Sequence, residues 1–253
     1  MSISTKPLTP RFGVEIQGVD LNAPISDADF ADIERLWYEN GVILFRDQTW
    51  AEPDIIDFSR RFGELEIHVR EEYLDPEYPE LLQVSNIVEG GRDVGILKDK
   101  ELGWHHDQSY MKEPAIGSLL SAFKLPTWGG ETSFANLAAA YEDLGPGMHE
   151  RLSGLRAVHS YEYFNGSWSV PTNDTQSGRT PPVLQPVVRT HPVTGRKALY
   201  IDPAMVPMID GLGEDESRDL LDDLFERIVR PEYVYRHEWR LGDALMWDNA
   251  ATI

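Results

Sequence analysis

His105 and Asp107 stand one residue apart in Gly103-Trp104-His105-His106-Asp107-Gln108-Ser109-Tyr110. On an extended strand, residues two apart face the same side, so an imidazole nitrogen and a carboxylate oxygen could converge on one cation. A second His from elsewhere would complete a two-His-one-carboxylate set. That set leaves three positions open on Fe(II), room for a bidentate cosubstrate and O₂ together. His106 competes with His105 for the role, but the two-residue spacing to Asp107 favours His105 and sends His106 to the opposite face. Alone, the motif is weak. With 7 His and 43 acidic residues, about one His-x-acid pair is expected by chance. The plain alternative is a surface or core His making an ordinary hydrogen bond.

The elements that would carry such a site are mostly short strands. A helix is expected after Ser26, a good N-cap, with Phe30, Ile33 and Trp37 at helical spacing and Gly41 ending it. Val42-Ile43-Leu44-Phe45 reads as a buried strand. A second helix is expected from Thr49, with Glu52 closing a capping box, Ile55, Phe58 and Phe62 on its apolar face, and Gly63 as its stop. Strands are expected over Leu81–Val88, Ser118–Leu125 and Thr132–Ala135, with a polar loop over Glu89–Gly103. A helix pair follows at Leu137–Leu144 and Pro146–Leu152. Val187–His191 and Ala198–Ile201 flank a turn and read as a hairpin. Glu214–Val229 is amphipathic and Tyr233–Trp239 alternates. Asn165–Pro182, rich in Ser, Thr, Gly and Pro, reads as a mobile loop or lid. Many short strands with a few helices suggest a mainly β sandwich or barrel core with peripheral helices.

Composition narrows the function classes. The 253 residues carry 23 Lys+Arg against 43 Asp+Glu, a net charge of −20. Such a field repels nucleic acid and anionic membranes, so neither is expected as a partner. Cys is absent, which excludes disulfide scaffolds, thiolate metal sites and cysteine nucleophiles. No apolar run or leader-like start is present, so a cytoplasmic location is expected. There is no internal repeat, and a single domain is expected.

Seven blocks together resemble the taurine/aryloxyalkanoate dioxygenase family, the 2-oxoglutarate-dependent Fe(II) oxygenases. They are Gly13–Leu21, Gly41–Gln48, Phe58–Gly63, Trp104–Tyr110, Gly129–Thr132, Pro186–Pro192 and Trp247–Asn249. They fall in the family's order and span nearly the whole chain. The resemblance implies a double-stranded β-helix (jelly-roll) core, with Fe(II) as cofactor and 2-oxoglutarate and O₂ as cosubstrates. It implies that His105 and Asp107 are metal ligands and that the Thr132 hydroxyl binds a 2-oxoglutarate carboxylate. Read without the family, Thr132 is a strand residue suited to β structure. In the family the Trp-Asp-Asn block leads to a distal iron-binding His, and an Arg for the cosubstrate lies further on. Here those positions fall beyond Ile253, so the single domain is expected to continue past residue 253. Related halogenases lack the carboxylate ligand; Asp107 therefore favours hydroxylation or desaturation of a small organic metabolite, with release of succinate and CO₂.

For the substrate, His68 matches the position where the taurine enzymes contact a sulfonate; otherwise it is a polar residue past a helix end. Arg70, Glu71 and Glu72 lie near it, and Glu101 stands where those enzymes use Asn. These acids argue against a sulfonate and for an amino- or amide-bearing metabolite. Tyr161, Phe164 and Trp168 are candidates for the pocket wall, or for aromatic core. Of the other His residues, His191 is expected to pack at a hairpin, His149 and His159 to lie on or beside a helix as surface or satisfied polar groups, and His237 to stand outside the ligand set. Self-association into a homo-oligomer is left open. The rival reading is a non-catalytic β-barrel binding protein that keeps the family fold.

Overall fold

The computed structural model describes residues 3–97, 102–166 and 172–253. Its first helix, Asp27–Asn40, begins where the Ser26 side chain accepts the Asp29 N–H. Phe30, Ile33 and Trp37 turn inward, and Gly41 ends the helix in the left-handed region at φ 72° while its N–H donates to the Trp37 carbonyl. Only glycine adopts that geometry without strain, so the chain reverses there into Val42–Phe45. All four residues of that strand are fully buried. It runs parallel to Val14–Gln17 and antiparallel to Ala244–Asp248. A strand covered on both faces needs no polar alternation, which explains the unbroken apolar run.

These strands belong to a five-stranded sheet in the order Ser4–Pro7, Val14–Gln17, Val42–Phe45, Ala244–Asp248, Gly117–Ser121. Smaller antiparallel ladders complete the fold. Thr132–Ala135 pairs with Val234–His237, Arg156–His159 lies between Val183–Pro186 and Met208–Ile209, and Val188–Thr190 pairs with Lys197–Leu199. Helices Leu137–Glu142, Pro146–Leu152 and Glu214–Ile228 bury Leu137, Leu152, Leu220 and Leu224 with Leu199, Ile201 and Ile209. The architecture is thus mixed sheets with packed helices. At its far end Ile253 exchanges two backbone hydrogen bonds with Ala135 (2.9 and 3.2 Å), tying it to the strand that starts at Thr132. Among the described residues no helix is long and apolar enough to cross a membrane.

Several boundaries differ from expectation. The second helix is Glu52–Arg60, with Pro53 in its first turn; Thr49 does not cap it. Proline's fixed φ suits a first turn, and the Asp54 carboxylate accepts the Ala51 N–H at 2.9 Å in place of a Thr49 cap. Over Leu81–Val88 only Val88–Glu89 joins a ladder, pairing with Arg92–Asp93 across Gly90-Gly91 inside the expected polar loop. The expected lid over 165–182 contains a helix, Asp174–Arg179, started by a reciprocal capping box between Asn173 and Gln176. That Asn-x-x-Gln pattern was visible and was outweighed by the polar composition around it.

Gly117 opens the strand that leads to the site. A Cβ there would overlap the Trp37 indole and the Trp247 carbonyl, neither of which can retreat inside the sheet. Gly117→Ala is expected to lower unfolding free energy by about 1–3 kcal/mol, the usual range for overpacking. Urea denaturation followed by tryptophan fluorescence checks it.

Candidate metal centre

His105 and Asp107 do converge, with Nε2 and Oδ1 3.3 Å apart. They do so from a loop and the turn that follows it, not from the expected strand. Three hydrogen bonds replace the missing ladder. His105 Nδ1 donates to the Gly103 carbonyl at 2.8 Å, which turns Nε2 toward Asp107. Ser118 Oγ donates to Asp107 Oδ2 at 2.6 Å, which leaves Oδ1 turned toward His105. Asn249 Nδ2 donates to Ser118 Oγ at 3.3 Å and so reaches the carboxylate through the serine.

The electrostatics of the pair favour positive charge between the two atoms. Burial pushes the His105 pKa down, but the hydrogen bond and charge of Asp107, with the Gly103 carbonyl, win and hold it near 9. Burial pushes the Asp107 carboxyl up; His105 and Ser118 outweigh it and set it below its ordinary value. A divalent cation that displaces the shared proton satisfies the same preference, bound by Nε2 and Oδ1 together. The side chains stay 26% and 33% exposed, so further ligands have access. The donor set fits a metal ion as two ligands of a larger set. Among the described residues no three His, Cys, Asp or Glu side chains gather around one point.

One wall beside this pair is aromatic. The Phe164 ring lies 5.9 Å from His105 and 6.1 Å from Tyr161, and Tyr161 lies 4.5 Å from Tyr110 and 6.4 Å from His68. Val69, Tyr110, Tyr161 and Met205 form one buried cluster with Phe164 against it. The expected pocket residues His68, Tyr161 and Phe164 are therefore brought together with the ligand pair. His68 Nδ1 accepts the Arg70 N–H at 3.1 Å, which places its remaining proton on Nε2. Burial lowers its pKa, against the pull of Asp107. Arg70 is buried and braces this wall: it donates to the Tyr161 hydroxyl (3.0 Å), Asn165 (3.0 Å) and Glu72 (3.2 Å). Glu71 bonds Arg179 at 2.6 Å. With both acids partnered, they lose their force as an argument against an anionic substrate. Glu101 and Trp168 lie outside the described residues.

Thr132 stands opposite His237 in its ladder, and its hydroxyl accepts the Trp239 indole N–H at 2.9 Å. Its own proton is left to donate.

Residues 4–253 match the family described as Taurine catabolism dioxygenase TauD, TfdA family. The chain belongs to this family. It is 35% identical over 265 residues to the alpha-ketoglutarate-dependent 2,4-dichlorophenoxyacetate dioxygenase of Cupriavidus pinatubonensis, covering 100% of this chain and 91% of that protein. It is 30% identical to pentalenolactone F synthase of Streptomyces arenae, covering 97% and 88%. Among solved structures, AAD-2 in complex with Mn(II) and N-oxalylglycine superposes with a TM-score of 0.82 at 33% identity, covering 100% and 89%. A taurine dioxygenase from Burkholderia xenovorans superposes at 0.84 and 30%, covering 100% and 81%.

Within this TauD/TfdA chain, the remaining histidines hold structural posts. His191 is buried at its hairpin as expected and bonds Asp248 at 2.7 Å, while its Nδ1 accepts the Val193 and Thr194 N–H groups. His237 bridges Tyr235 (2.7 Å) and Asp243 (3.1 Å). His149 bonds the Tyr141 carbonyl at 2.8 Å. His159 departs from expectation: it ends the strand Arg156–His159, is fully buried, and neither ring nitrogen has a hydrogen-bond partner. Its ring stacks on Tyr200 at 5.4 Å, near the charge of Asp202. Sequence reasoning also passed over Ser118, Asn249 and Asp202. A Ser in an otherwise apolar strand and the Asn of Trp247-Asp248-Asn249 were the available signals; Asp202 offered none.

Burial holds the His159 pKa down to about 4, against 6.5 when solvated. The unfolded chain therefore binds a proton that the folded chain refuses. This contribution to stability is complete above about pH 6.5 and is lost as pH falls toward 4, by roughly 3 kcal/mol at about 1.4 kcal/mol per unit. His159→Phe is expected to flatten this part of the acid limb, read by urea denaturation at pH 7 and pH 5 on both proteins.

Proposed function

We propose that this protein is an Fe(II)- and 2-oxoglutarate-dependent dioxygenase that hydroxylates or desaturates a small organic metabolite, releasing succinate and CO₂. The observation that carries the reading is the pair of metal-ligand atoms, His105 Nε2 and Asp107 Oδ1, held 3.3 Å apart beside an aromatic wall. Several of the relatives it matches are named as alpha-ketoglutarate-dependent dioxygenases.

His105 and Asp107 would hold the iron as two ligands of a larger set. Iron with 2-oxoglutarate and O₂ supplies the oxidation of an unactivated C–H bond. The chain's part is binding and orientation. Thr132 would give its free hydroxyl proton to a 2-oxoglutarate carboxylate, with the Trp239 indole fixing the hydroxyl. Tyr161 and Phe164 would line the substrate's apolar body and keep water from it. His68 would offer its Nε2–H to a substrate oxygen, and Glu101 belongs to the same proposed pocket. The mostly antiparallel five-stranded sheet, with the Thr132–Ala135 ladder packed on it through Phe134 and Tyr235, supports a jelly-roll core and residues 1–253 as part of one domain. The net charge of −20 supports a free small molecule as partner, not nucleic acid or a membrane surface.

Anaerobic addition of Fe(II) and 2-oxoglutarate to the full-length protein is expected to give a visible metal-to-ligand charge-transfer band that His105→Ala and Asp107→Ala abolish. Absence of the band in the unaltered protein sinks the reading. Thr132→Val is expected to raise the KM for 2-oxoglutarate about 10-fold or more with a smaller change in kcat, the worth of one hydrogen bond to a charged group.

A further inference from the structure

The residue between the two ligands is unlike them in every respect but type. His106 is fully buried, and its Nδ1 bonds Asp202 Oδ2 at 3.0 Å, with Asp202 fully buried as well. The backbone N–H of His106 leans on the same oxygen at 3.4 Å. Asp202 is itself anchored: its other oxygen accepts the N–H groups of Ala204 (3.0 Å) and Met205 (2.6 Å). The Tyr200 ring closes over the His106 imidazole at 4.5 Å.

Residues 102–107 belong to no strand, so no ladder sets where the ligands point. Side chains have to do it. Ser118 fixes one end of Asp107, and Gln185 Nε2 holds the Met111 carbonyl at 2.9 Å just past the turn. Between these, the bond of His106 to Asp202 is the anchor that enters the loop at its centre. His106 is closed off at 0% while His105 and Asp107 stay 26% and 33% exposed, so the bond that pins the His106 ring inward holds the loop with its two neighbours outward. Asp202 also reaches the substrate wall, since Met205 belongs to the cluster of Tyr110 and Tyr161, and its carbonyl accepts the Ser160 N–H at 2.8 Å.

We infer that the buried His106–Asp202 couple positions the metal-binding pair, setting the affinity of the site without touching the metal. The inference rests on the reading of His105 and Asp107 as ligands. A further consequence is geometric: what matters is a donor at the place of Nδ1. An Asn amide nitrogen falls near that place, whereas a Gln amide overshoots it by one methylene.

Mn(II) binding to the full-length protein, followed by electron paramagnetic resonance, tests this against His105→Ala, His106→Asn, His106→Gln and His106→Leu. Near-UV circular dichroism and Tm are measured on each. H106N is expected to bind Mn(II) within about threefold of the unaltered protein, while H106Q and H106L bind about 10–100-fold more weakly, the usual effect of losing a partner behind a ligand. If H106L does not fold, the Asn-against-Gln comparison still decides, because the two amides should differ little in general stability. Wild-type affinity in folded H106Q, or equal weakening in H106N and H106Q, overturns the positioning role. Failure of the unaltered protein to bind Mn(II), or indifference to H105A, overturns the metal reading beneath it and is recognised by that control.

Discussion

A carboxylate withdrawn from water must be compensated, and Asp107 shows how this chain arranges it. Its two oxygens are divided between a serine hydroxyl behind and an imidazole in front. The serine comes from a strand whose first residue must be glycine to clear Trp37, and the asparagine behind the serine comes from the corner after the next strand of the same sheet. Sheet packing therefore dictates the orientation of one carboxylate, and that orientation leaves one oxygen available. An oxygen fixed in place, whose only front partner is an imidazole that can give up its proton to a cation, is the physical basis of the proposed centre.

Four histidines are paired with aspartates: His105 with Asp107, His106 with Asp202, His191 with Asp248 and His237 with Asp243. Chemically the pairs are alike, and their distances span only 2.7 to 3.3 Å. Exposure separates them. Three are closed off, with every side chain at 4% or less, whereas His105 and Asp107 remain 26% and 33% open. A closed pair holds the interior together, and removing one partner would strand a buried charge. An open pair on a loop can exchange its internal contact for a ligand. The same chemistry is thus closed off in three places and left open in one.

Much of the local structure was legible because its causes are local. Ser26 and Gly41 bound the first helix, Val42–Phe45 forms the buried strand, and Val188–Thr190 meets Lys197–Leu199 in the expected hairpin. The expectations that failed were those where composition stood in for a mechanism. Within the stretch expected as a mobile loop or lid, of which residues 167–171 lie outside the described residues, Asn173 and Gln176 cap a short helix. Apolar content suggested a strand over Leu81–Val88 that finds a ladder partner only at its end. His159 was read as polar and therefore near water, yet its strand lies in the middle of a three-stranded sheet.

For the site, the sequence by itself determined which groups are present: His105 and Asp107 at a spacing that can share a cation, Thr132 in a strand, and His68, Tyr161 and Phe164 as pocket candidates. Order and spacing of seven blocks were enough for the family. Tertiary structure alone decided how the pair is aimed, since no strand carries it and its geometry comes from Gly103, Ser118 and, behind His106, Asp202 nearly a hundred residues away. It also decided that the acids Glu71 and Glu72 are already engaged by Arg179 and Arg70. Pattern along a chain reports which faces seek the core. It carries no information on which distant side chains will be left facing one another once the core has closed.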